Sequence, residues 1–189
     1  MCLVRERHGG GCAVYVRSDF HYIRLFEFEN ARFKILVMRL TLENHLSVLI
    51  LNVYRPQTIT VRQIKEQLHN VLEEINKSKY KKDYIIIVGD LNAQNKSWSM
   101  NNVDSTKEGV ELVEFLESEN LFQLVRGVTR EVSNTCLDLI ITTNPSFIND
   151  VVIQPKLDRS YHSFIEFKMN TLFCKGRRMR TVYDYGAVN

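Results

Sequence analysis

The sequence contains no CxxC pair and no zinc-type cysteine spacing. Its four cysteines, at 2, 12, 136 and 174, therefore read as free thiols of a reducing compartment. No apolar run approaches the roughly 18 residues that cross a bilayer. Arg5, Glu6 and Arg7 occupy the place where a secretory signal needs its apolar centre. Internal repeats and low-complexity tracts are missing as well. A large charge of either sign is absent too: the formal net charge is +3, which permits a nucleic-acid partner without arguing for one. These absences leave a soluble, intracellular chain, in cytoplasm or nucleus, and make the two N-x-S sequons at Asn76 and Asn95 accidental.

What is present describes one globular domain. With 189 residues, 44% hydrophobic and 25% charged, the chain can bury one sizeable core. The domain is expected over 1–170, and 171–189 reads as a basic linker or tail carrying "CKGRRMR". The chain is expected to begin at a turn, Gly9-Gly10-Gly11, followed by the β-rich "CAVYVR". "FKILVMRL" (33–40) and "LSVLILNVY" (46–54) form an antiparallel pair across a short link. Ile64, Leu68, Val71, Leu72 and Ile75 make one apolar helical stripe, started by a Thr60/Gln63 capping box. A second helix is predicted over 107–118, with Ser105 and Glu108 as its box and Val110, Val113 and Leu116 facing inward. Between the helices "YIIIVGD" reads as a strand buried on both faces, and further strands follow at 136–143, 148–154 and 163–169. Hairpin and crossover connections together predict α/β sheets with helices packed outside.

Polar residues gather at the strand ends, where open α/β folds place their chemistry. Asp90 and Asn92 close the central strand, and Tyr54, Arg55 and Pro56 close the one before it. Asp138 stands among apolar residues in "TCLDLIITT", and His162 precedes the last strand in "RSYHSF". Taken singly these are ordinary turn, core or capping residues.

In combination, "GGG-x-A-x-Y-V", "NVYRP", "GDLNAQNKSW", "TCLDLIITTNP" and "SYHSFIEF" resemble the endonuclease/exonuclease/phosphatase superfamily. The likeness, over about residues 5–170, is to the endonuclease domain of non-LTR (LINE-type, jockey-like) retrotransposon polyproteins, and the tail resembles the approach to a reverse transcriptase domain. The resemblance implies a four-layer α/β sandwich, two mixed β-sheets face to face with helices outside, and a Mg²⁺- or Mn²⁺-dependent site that cuts DNA. It implies that Asp90 positions and deprotonates the attacking water and that Asn92 holds the phosphate. Tyr54 would contact phosphate, Asp138 would be the acid of the "LD" motif, and His162 would be the catalytic histidine. Such chemistry needs a polarised water, an amide donor and a divalent ion. Arg55, Trp98, Lys175, Arg177 and Arg178 are the residues expected to meet nucleic acid.

Two departures from the family pattern stand out. The family's metal-binding glutamate and an asparagine precede the glycine-rich turn, whereas here eight residues precede Gly9, with Glu6 the only acid, so those first strands are expected to be missing. Glu27, Glu29 and Glu43 are the substitutes at hand. Second, the family's Ser-Asp-His reads Ser160-Tyr161-His162, and a phenol carries no charge with which to orient the histidine. Low activity is the expectation. The competing readings are a non-catalytic remnant that at most binds nucleic acid, and a phosphomonoesterase or lipid phosphatase of the same superfamily.

Overall fold

The computed structural model describes residues 2–5, 11–42, 46–157 and 160–171. In chain order the elements are β1 (Cys2–Arg5), β2 (Gly11–Val14), β3 (Tyr22–Arg24), β4 (Ile35–Thr41), β5 (Ser47–Val53) and α1 (Val61–Lys77). They continue with β6 (Tyr84–Asp90), α2 (Lys96–Ser99), α3 (Lys107–Ser118), β7 (Phe122–Gln123), β8 (Asp138–Thr142), β9 (Ile148–Gln154) and β10 (Phe164–Met169). The first glycines are therefore preceded by a strand: β1 pairs antiparallel with β2, and the expectation that the chain opens at a turn is corrected.

A mixed sheet of six strands in the order β3-β4-β5-β6-β8-β7 forms the body. Strands β4 and β5 pair antiparallel, as their short link requires. Strands β5 and β6 are parallel, and α1 is the crossover that parallel neighbours need. Ile85, Ile86 and Ile87 of β6 are buried on both faces. Helix α1 turns Val61, Ile64, Leu68, Val71 and Ile75 onto one face of the sheet. Each such burial stabilises by about 1.5–3 kcal/mol relative to exposure. Its start is a complete capping box between Thr60 and Gln63.

Helix α3 packs beside α1 but is capped and rotated differently from the sequence expectation. Thr106, not Ser105, accepts from the N–H of Gly109, while the Ser105 hydroxyl accepts from the Lys96 N–H. The buried residues are Gly109, Leu112, Phe115 and Leu116, and Val110 is exposed. Close packing sets this rotation: a Cβ on Gly109 would lie 1.7 Å from the Gln94 carbonyl oxygen. Only a glycine lets the helix start rest on the loop that leaves β6.

The opposite face of the sheet carries two antiparallel ribbons, β1–β2 and β9–β10, which make up the second layer of the α/β sandwich. The first lies over β4 and β5. Asn52 donates its amide to the Ala13 carbonyl at 3.1 Å, and the Cys12 thiol donates to the Lys34 carbonyl at 2.9 Å. Cys12 and Cys136 are both free and buried, and burial pushes each thiol up to about 12. The second ribbon leans on β6 and β8 across an open apolar cavity of about 320 Å³, lined in part by Val88, Ile140, Phe164, Ile165 and Phe167. Among the described residues no helix is long and apolar enough to cross a membrane.

Candidate active site at the strand ends

Strand β6 ends where β8 begins. Asp90 and Asp138 are directly opposed in the antiparallel ladder, so both carboxylates project from the same face. Gly89 makes the approach to Asp90 possible. Its φ is +140°, and a Cβ there would come within 1.9 Å of the Val53 carbonyl oxygen on β5. The aliphatic run thus delivers an acid to the sheet's rim through the one residue type that fits between β5 and β6.

The loop after β6 is fastened from three sides. The Asn92 N–H donates to Asp90 Oδ1 at 2.9 Å, and the Asn92 side-chain amide donates to Asp90 Oδ2 at 3.2 Å and to the Arg55 carbonyl at 2.9 Å. Asn92 adopts a left-handed φ of 47°, which its residue type tolerates. Both protons of the Asn92 amide are thereby spent within the loop rather than held out for a phosphate.

Arg55 is also spent within the loop. The side chain is 4% exposed, and its guanidinium donates to the carbonyls of Leu91 (2.6 Å), Ile59 (2.6 Å) and Asn92 (2.5 Å). Burial pulls its pKa down from the usual value against the opposing pull of Glu108 and Asp90. Arg55 is a bracket for the acid-bearing loop, and the structure leaves it no route to a nucleic acid. Trp98 is likewise interior, 4% exposed. Lys175, Arg177 and Arg178 lie outside the described residues. Tyr54 is half-buried against Cys12, Leu36 and Met38, one residue before the Arg55 N–H that donates to the Asp90 carbonyl at 2.9 Å.

His162 enters from the loop before β10. Its Nδ1 lies 2.8 Å from Asp138 Oδ2. This corrects the expectation that the histidine lacks an acidic partner because Tyr161 replaces an aspartate. The partner sits on β8, 24 positions away in sequence, and Tyr161 is 67% exposed. With Nδ1 engaged by a carboxylate, Nε2 is the ring nitrogen that remains for another partner.

A residue that drew no attention in the sequence completes the arrangement. Thr129, fully buried, donates its hydroxyl to the same Asp138 oxygen at 2.7 Å and accepts from the N–H groups of Leu137 (3.0 Å) and Asp138 (3.1 Å). Its carbonyl accepts from the Ser163 N–H at 2.7 Å, so Thr129 ties the aspartate and the histidine loop together. No motif marks it. The only signal is a hydroxyl residue in the connection leading to the "LD" strand.

Asp90, Asp138 and His162 each bring a ligand atom within 4.8 Å of the others. Burial first, and then the neighbouring Asp138 charge, raise the Asp90 pKa above the ordinary carboxylate value. Two opposed carboxylates, both partly buried, form a donor set suited to a hard divalent cation that keeps most of its waters. Of the proposed substitutes for the early-strand glutamate, Glu29 is occupied by a bidentate pair with Arg24, both contacts 2.8 Å, and Glu43 lies outside the described residues. Among the described residues no further acid joins the cluster.

The rim of this layered α/β body thus carries an Asp–His pair and a second acid. The chain belongs to the endonuclease–reverse transcriptase family, whose pattern it matches over residues 48–166. Among curated protein sequences none matches it. Its fold is similar to that of the endonuclease domain of TRAS1, a telomere-specific non-LTR retrotransposon. That likeness has 18% identity and a TM-score of 0.68, over 81% of this chain and 68% of that one. It is also similar to the catalytic domain of Xenopus laevis APE2, with 17% identity and a TM-score of 0.56, over 75% of this chain and 57% of that one. At such identities the likeness establishes the endonuclease/exonuclease/phosphatase fold and nothing finer.

Proposed function

We propose that this chain is a DNA endonuclease domain of a retroelement that hydrolyses phosphodiesters slowly with Mg²⁺ or Mn²⁺. The observation that carries the reading is the convergence of Asp90, Asp138 and His162 at one rim. Asp138 fixes the histidine ring through Nδ1, aided by the Thr129 hydroxyl, and so directs Nε2 toward the scissile phosphate. Asp90, whose proton affinity is raised, takes the proton of the attacking water. Asp90 and Asp138 would hold the cation, which when bound neutralises charge on the phosphate oxygens. Asn92 and Arg55 keep the Asp90 loop in place, and Tyr54 borders the site from the end of β5. Turnover is low because, among the described residues, two carboxylates are placed to hold the cation.

The test is a panel of substrates. Supercoiled plasmid and soluble phosphomonoesters are incubated with the chain, with Mg²⁺ or Mn²⁺ and with chelator. Metal-dependent nicking of plasmid without ester hydrolysis supports the reading. Hydrolysis of the esters alone would make the chain a phosphomonoesterase, and binding of DNA without nicking under any metal would make it a non-catalytic remnant.

A further inference from the structure

Val110, Val113 and Leu116 stand on one stripe of α3, and the fold uses that stripe only in part. Leu116 is buried, Val113 is half-buried and Val110 is 45% exposed. Val113 and Leu116, with Phe122, Leu124 and Pro145, line an open groove of about 300 Å³ between α3 and the β7 edge of the large sheet. Phe122 is 47% exposed, and Val110 continues the apolar strip one turn toward the helix start. Single exposed apolar residues need no explanation, but a contiguous strip with a charged rim marks a place where something binds. The rim on the α3 side is acidic. Glu114 and Glu117 recur with Val110 and Val113 at spacings of three and four, so the four share one helix face. Both acids are exposed, and among the described residues neither is paired with a cation. Arg126, which also lines the groove, donates to the Val125 carbonyl at 3.0 Å.

The chain itself arrives at this groove. Asn170 donates its N–H to the Phe147 carbonyl at 2.9 Å and its side-chain amide to the Ser146 carbonyl at 2.9 Å. Pro145, the residue before Ser146, is part of the groove wall. The described residues end at Thr171. Next in sequence come Leu172 and Phe173, and then the cations Lys175, Arg177, Arg178 and Arg180. An extended chain advances about 3.3–3.6 Å per residue, which carries Leu172 and Phe173 about 7–11 Å from Asn170. The same spacing lays Lys175 to Arg178 over about 10 Å, which matches the step from Glu117 back to Val110, about 10 Å along the helix.

We propose that residues 172–180 of this chain dock on α3, with Leu172 and Phe173 in the apolar groove and the cations of 175–180 along Glu117 and Glu114. Order and kind both match: apolar side chains come first, beside Pro145, and opposite charges follow along the acidic helix face. Exposed ion pairs contribute little, so the two apolar side chains carry most of the docking and the charges set its direction. Docking holds Lys175, Arg177 and Arg178 against carboxylates of their own chain and so withholds them from phosphates.

The experiment is limited digestion of the full chain with trypsin, read by mass spectrometry at the bonds after Arg177 and Arg178. Trypsin cuts a docked segment only while it is released, at a rate that follows the released fraction. Rates are taken relative to cutting of a free peptide with the sequence of residues 172–180, so that salt acts equally on the enzyme in both. Phe173→Ala speeds the two cuts roughly tenfold, and Glu114→Gln/Glu117→Gln speeds them roughly fivefold. Added salt speeds them in the parent and less in the Glu114→Gln/Glu117→Gln variant. Glu74→Gln, an exposed acid on α1, behaves as the parent. Equal rates in the parent and both variants overturn the docking. Acceleration by Phe173→Ala alone puts the segment somewhere other than α3 and overturns it as well. Protection that grows with protein concentration gives the groove to the tail of a second copy, and also overturns it. None of these outcomes depends on nicking, so the nuclease reading stands or falls separately.

Discussion

Replacing Arg55 separates a structural bracket from a nucleic-acid contact. The guanidinium is buried and serves three main-chain carbonyls, at Leu91, Ile59 and Asn92. Arg55→Met keeps much of the stem's packing and orphans all three acceptors. Each buried acceptor left without a donor costs about 1–3 kcal/mol. The Asn92 end is half-buried and regains water, so the total comes to about 3–5 kcal/mol out of a typical 5–15 kcal/mol. Arg55→Lys retains the charge but reaches one carbonyl well, and costs about 2 kcal/mol. Urea denaturation of the three proteins measures this as a lower midpoint at an unchanged slope. At a temperature where all three are folded, the salt dependence of duplex affinity is the same for each, because Arg55 meets no phosphate. A loss below about 1 kcal/mol for Arg55→Met, together with a shallower salt slope, would refute the reasoning.

Three further outcomes follow from the same geometry. Thr129→Val removes the hydroxyl shared by Asp138 and two backbone N–H groups, and lowers the nicking rate roughly ten- to hundredfold, while Thr129→Ser restores most of it; initial rates on plasmid decide. Gly89→Ala forces a side chain into the Val53 carbonyl and leaves little folded protein, seen as loss of a cooperative thermal transition. Asp90 has a raised pKa in the fold, so the folded chain holds its proton longer than the unfolded chain does. Its contribution therefore favours folding at acid pH and is lost as pH rises through the folded value. In Asp90→Asn this part of the pH dependence vanishes, as urea midpoints across the pH range without divalent ion would report.

Much of this layout is legible in the residues. Four aliphatic residues ending in Gly-Asp announce a central strand that delivers an acid to the rim, and Thr60 with Gln63 announces the start of α1. What stays hidden depends on contacts between distant segments. Arg55 looks like a cation available to phosphate because no sequence pattern reveals that three carbonyls converge on it. The partner of His162 is sought next door, at position 161, because neighbours are all a sequence offers, whereas the fold supplies Asp138 from another strand. Thr129 is invisible for the same reason. Helix α3 spans the predicted residues, but its cap falls on Thr106 rather than Ser105 and its buried face turns to Gly109, Leu112, Phe115 and Leu116, because Gly109 must meet the Gln94 carbonyl, a contact between elements that helical periodicity does not contain.

The most direct test of the account is the rate of Mg²⁺-dependent nicking by the chain beside Asp138→Asn, which keeps the size of the side chain and removes the charge paired with His162. The parent nicks slowly and in a chelator-sensitive manner, and the variant nicks at a rate lower by about 10²–10⁴-fold. Equal rates in the two proteins, or nicking that survives chelation, would contradict it.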